Sequence, residues 1–276
     1  MEGPIQFRGV VLVSPTLGTG SANVMTDGVS TELPTEAVIA RHYGRGAYAS
    51  EALEEVARKA EGFAVGPYAS AIHAGKALPE HEREAIAKQV SDFIGISPDD
   101  ILKLDLQVPT SKFRDLLLAD KGERVGEDAR QHYPKPAPGT GESEIDTANG
   151  FDLHAAIVGL LRDELGYKAV GPYVRDPDEA NLAWDNTVTS EPSSLPEVLK
   201  AAATADPHFH VFLGGGYFDL LVPYFFPLSS LSAADLPPGQ FVHHVYPSAH
   251  AFLNDETNRA CATDDIRVFY HQAVLP

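Results

Sequence analysis

Cysteine is nearly absent. A single thiol, Cys261, serves 276 residues, which excludes an internal disulfide and any cysteine-rich metal site, so stability has to come from packing. Cys261 itself reads as an inert helix thiol. Basic residues are also few: 21 Lys and Arg stand against 39 Asp and Glu, a formal net charge of −18. That balance repels polyanions and argues against nucleic acid and anionic membrane surfaces as partners. No apolar run reaches membrane-spanning length, and Met1-Glu2-Gly3-Pro4 lacks the basic and apolar regions of a signal peptide. The chain as written is therefore expected in the cytoplasm. No internal repeat is visible at solenoid or propeller periods.

With 43% apolar and 22% charged residues, the composition is that of a globular protein with a well-buried core. Phe7 to Pro15 carries a near-continuous apolar run (Val10, Val11, Leu12, Val13), the pattern of a strand covered on both faces in a parallel sheet. Thr16 to Leu33 shows no periodicity and reads as a loop. Helices are expected next: one capped by Ser50 with Val56, Ala57, Ala60 and Ala64 on its apolar stripe, and one from Pro79 to Gly95. A short helix should start at Ser97-Pro98-Asp99-Asp100, and another at Thr110. His132 to Gly150 is rich in Pro and Gly and reads as a surface loop. Helix resumes over Phe151 to Leu165 and again from Pro196. The last helix is expected near Asn254, turning Ile266, Phe269 and Tyr270 inward.

The informative stretch lies between the last two helices. Phe209, Val211 and Leu213 form a short buried strand that runs into Gly214, Gly215 and Gly216, read as a tight exit, with Asp219 just beyond. A second strand, Gln240 to Tyr246, breaks at Pro247-Ser248-Ala249 and presents His250. Both polar residues thus follow carboxyl ends of strands, where open α/β sheets assemble their sites. An Asp and then a His, each after its own strand, fits the second half of a Ser…Asp…His order. The plain alternatives are an Asp219 that caps a following helix and a His250 that is a loop histidine with no task.

The run Gly216-Tyr217-Phe218-Asp219-Leu220 with Val222-Pro223-Tyr224-Phe225, and the run Tyr246-Pro247-Ser248-Ala249-His250, resemble the Asp and His motifs of serine carboxypeptidase-like proteins, in particular the bacterial branch. The resemblance extends to the strand at Phe7 to Pro15, the helix from Ser50, and Asn181, Leu182, Ala183 and Trp184. It implies the C-terminal part of an α/β-hydrolase: about three parallel strands from residues 1–33 and 196–276, with a mainly helical cap over residues 34–195. It also implies Asp219 and His250 as triad members, acyl transfer to water, and a peptide or ester substrate, with no cofactor.

The family's nucleophile sits in Gly-Glu-Ser-Tyr-Gly, upstream of the strand at Phe7, and this sequence has no such segment. The chain thus resembles the downstream part of a longer hydrolase, whose front part would carry any export signal. Gly141-Glu142-Ser143-Glu144 is similar to the motif only superficially, because prolines rather than a strand precede Ser143 and Ile145 replaces the second glycine. Ser14 at a strand end and Ser248 near His250 are the other serines to consider, and neither has elbow glycines. Without its neighbour, the strand at Phe7 to Pro15 has an uncovered edge, so a homodimer or a partner chain is expected to cover it. The rival expectation is a non-catalytic binding or assembly module. Eleven histidines raise the question of metal, but no H-E-x-x-H or comparable spacing occurs and no metal site is expected.

Overall fold

A computed structural model describes residues 7–17, 24–135, 153–168, 183 and 195–274. Two compact units result, one from residues 1–135 and 190–276 and the other from residues 136–189. The first is mixed α/β. Among the described residues its sheet holds three parallel strands in the order β1 (Gly9–Val13), β4 (His210–Gly216), β5 (Phe241–Tyr246). Val11 faces Phe212 across one pair, and Phe212 faces Val242 across the other. β4, central and paired on both sides, is buried from Val211 onward.

The same unit contains α1 (Val24–His42), α2 (Leu53–Phe63), α3 (Ala69–Ala74), α4 (Glu80–Ile94), α5 (Pro98–Lys103) and α6 (Thr110–Leu116). A short antiparallel pair, β2 (Glu123–Val125) and β3 (His132–Pro134), follows. Around β4 and β5 lie α8 (Leu195–Ala205), α9 (Phe225–Ala234) and α10 (Glu256–Val274). The second unit is described over α7 (Leu153–Gly159) and the π-helical turn that continues it to Glu164, where Leu160 and Leu165 are exposed.

Several elements depart from the sequence reading. The loop expected over Thr16 to Leu33 is helix from Val24, and α1 runs unbroken through Leu33, where a domain boundary was expected. Leu33, Ala37, Val38, Ile39 and Ala40 are all fully buried; a helix enclosed on every side has no amphipathic period to read. Ser50 does not cap α2, whose N-cap is Ala52 without a side-chain bond. Ser97 does cap α5, its hydroxyl accepting from the Asp100 N–H at 3.2 Å. Gly95, left-handed at φ 70°, ends α4 as its position predicts. Tyr270 points outward, and Phe269 alone of the trio is buried, against Phe212. His132 to Pro134, read as loop, is strand; residues 136–152 lie outside the described residues, as do Asn181, Leu182 and Trp184.

α1 also buries two carboxyl groups one turn apart, Glu32 and Glu36. Glu32 Oε2 accepts the Thr110 N–H at 2.9 Å, at the start of α6, while Glu36 is 1% exposed and its Oε1 has no partner. Burial pushes Glu32 up to about 7, and burial together with the charge of Glu32 pushes Glu36 well above the carboxylate range. Both carboxyls hold protons more tightly folded than unfolded. The stability they confer is therefore full below about pH 4.5 and is lost as pH rises through about 7. Glu36→Gln should flatten that fall and raise the melting temperature at pH 8. Thermal unfolding from pH 5 to 8 checks this, and an unchanged pH slope in the variant would contradict it.

Candidate active site

Asp219 and His250, predicted from sequence, meet beyond the carboxyl ends of the adjacent parallel strands β4 and β5. Asp219 is 0% exposed, and its Oδ2 lies 2.9 Å from His250 Nδ1. Its Oδ1 accepts the N–H groups of Leu221 and Val222, both at 2.9 Å. The plain reading of a capping aspartate is thus half realised: one oxygen closes the turn that follows the strand, leaving the other for the imidazole. α9 itself begins later, behind an N-cap at Tyr224 without a side-chain bond.

The His250 ring is 43% exposed. The Asp219 hydrogen bond raises its pKa; partial burial opposes this, and the charges of Asp219 and Glu127 add to the rise. By the same linkage, this pair stabilises the fold fully below about pH 6.5 and loses that contribution as pH climbs through the raised value.

The three glycines do not make the tight exit expected of them. They lie within β4, opposite His244, Val245 and Tyr246, and none has positive φ. Their lack of side chains serves close approach instead. A Cβ on Gly216 would stand 2.4 Å from the carbonyl oxygens of Ser248 and Ala249, so only glycine lets the His250 loop lie across the strand end. Phe218 N–H then donates to Ser248 O at 2.9 Å, tying the Asp loop to the His loop.

The candidate serines fare differently. Ser14 ends β1 in the left-handed region at φ 41°, and its hydroxyl donates to the backbone oxygen of His250 at 3.2 Å, not to the ring. The space it lines with Gly214, Gly215 and Tyr224 measures about 10 Å³, room for one water at most. Ser248 is 1% exposed, with a hydroxyl that has no hydrogen-bond partner. Ser143 lies outside the described residues. Among the described residues no group of three or more His, Cys, Asp or Glu could hold a metal ion; His244 instead pairs with Asp265 at 3.3 Å. Cys261 lies on α10 and is exposed.

Sequence reasoning missed the residues that hold the couple from the helical side. His42 of α1 meets the Phe218 ring edge-on at 5.2 Å, and Glu61 of α2 accepts the Tyr224 hydroxyl at 2.8 Å. The turn between β2 and β3 bridges Asp219 through Asp128. None of these belongs to a spacing motif, so only the fold reveals them.

No protein-family model, curated protein or solved structure matches this chain. The site therefore rests on its own geometry. Asp219→Asn keeps an oxygen for the Leu221 and Val222 amides but turns an NH₂ toward Nδ1. His250 should then titrate at a lower pH than in the parent chain. Following its ring protons by NMR across pH checks this; an unmoved titration would mean that Asp219 does not govern the imidazole.

Proposed function

We propose that Asp219 and His250 form the acid-base half of a serine hydrolase of the serine carboxypeptidase or esterase type, acting on a peptide or ester carbonyl. The observation that carries the reading is the 2.9 Å contact from a fully buried carboxylate to Nδ1 of a part-exposed imidazole, just past the ends of neighbouring parallel strands. In that role Asp219 fixes the imidazole with its proton on Nδ1 and stabilises the imidazolium, while Nε2 takes the proton of an attacking hydroxyl. Acyl transfer to water then needs backbone N–H groups at the developing oxyanion. On this reading the mainly helical insertion from residue 34 to 195 is the cap that shapes the substrate pocket. The nucleophile is one of Ser14, Ser143 and Ser248, Ser14 after its hydroxyl leaves the His250 carbonyl, or a serine of a separate chain.

A second reading, a non-catalytic binding or assembly module, is favoured by the outer edge of β1. Among the described residues that edge has no strand partner, and Phe7, Val11 and Val13 are exposed beside it. A second copy or a foreign chain would pair there.

Labelling the purified chain with a fluorophosphonate probe, followed by mass mapping, separates the readings. The hydrolase reading expects one modified serine whose labelling disappears in His250→Ala. Removing the imidazole takes one donor from the buried Asp219 carboxylate, so the variant is first shown to be folded by circular dichroism. A folded parent chain that takes no label would contradict the hydrolase reading for this chain and leave the binding module.

A further inference from the structure

The turn between β2 and β3 reaches the site by backbone. Ala129 N–H donates to Phe218 O at 3.1 Å, Leu220 N–H donates to Glu127 O at 3.4 Å, and Asp128 bridges Asp219 between them. The loop that carries Asp219 is thus held on both sides of the aspartate. From the same turn, Arg130 donates through Nε and Nη2 to the Asp128 carboxylate at 2.9 and 2.7 Å. Its Nη1 reaches Asp255 Oδ2 at 3.3 Å. Asp255 lies five residues beyond His250 and accepts the Asn258 N–H at 3.1 Å, in the first turn of α10. One guanidinium therefore joins the turn that clasps the Asp loop to the segment that carries the histidine. Its planar fork can serve two carboxylates in fixed directions, which an ammonium cannot.

We propose that Arg130 is a positioning residue for the Asp219–His250 couple, setting the separation of the two loops through Asp128 and Asp255. The purpose of this tie rests on the hydrolase reading; the tie itself does not. Arg130 touches neither member of the couple, and two carboxylates neutralise its charge. The charged groups that face the imidazole are Asp219 and, from the clasping turn, Glu127; from β1 the Ser14 hydroxyl meets its carbonyl.

NMR titration of His250 in the full chain, in the parent and in Arg130→Lys and Arg130→Ala, tests the proposal. Loosening the Asp219 contact should shift the titration to lower pH, more in Arg130→Ala than in Arg130→Lys. Loss of a nearby cation alone would shift it to higher pH, so the sign separates geometry from charge. Arg130→Lys keeps the charge and loses the fork, and it decides the matter alone should Arg130→Ala not fold. A folded variant whose His250 titration is unmoved or moved upward overturns the proposal. A downward shift in a chain that takes no fluorophosphonate would uphold the positioning role while the hydrolase reading fails.

Discussion

A carboxylate with no exposed surface, Asp219, is the constraint on which the site depends. A buried charge is tolerated only if its oxygens are met by donors, and here three donors do so: two turn amides and one imidazole nitrogen. Each requires a feature elsewhere in the chain. The amides require the tight turn from Asp219 to Val222. The imidazole requires the His250 loop to cross the strand end, which the missing side chain of Gly216 permits. The loop itself is held by Phe218 N–H on Ser248 O and by the Ser14 hydroxyl on His250 O.

The helical elements contribute by fixing these loops from the other side. Phe218 and Tyr224, which flank Asp219, are gripped by His42 and Glu61, and the β2–β3 turn adds backbone bonds to the same loop. α1 is well suited to anchor that grip because its middle is wholly enclosed. The same enclosure is costly where it traps Glu32 and Glu36, whose raised pKa values record the expense of ionising carboxyls away from water. Packing and charge thus oppose each other within one helix.

The strands of the sheet and the placement of Asp219 and His250 just past them were legible in the sequence because short-range signals specify them. Apolar runs of strand length mark β1 and β4, and a polar residue after each of the last two strands marks the sheet edge where chemistry collects. What was not legible depends on three-dimensional surroundings. α1 was hidden by the lack of an exposed face. The glycines of β4 look like a turn locally, but Phe252, Tyr224 and two carbonyls press on them from distant parts of the chain. Arg130 sits 125 residues from Asp255, a separation at which no spacing rule operates.

If Asp219 orients His250, the neutral imidazole carries its proton on Nδ1 and keeps Nε2 bare. The most direct measurement is the pair of ring ¹⁵N chemical shifts of His250 above its titration, which report which nitrogen carries hydrogen in the neutral imidazole. The expected result is a protonated Nδ1 bonded to Asp219 and an unprotonated Nε2 able to accept a proton. A neutral ring protonated on Nε2 would leave that nitrogen without a free lone pair and would contradict the role given to Asp219.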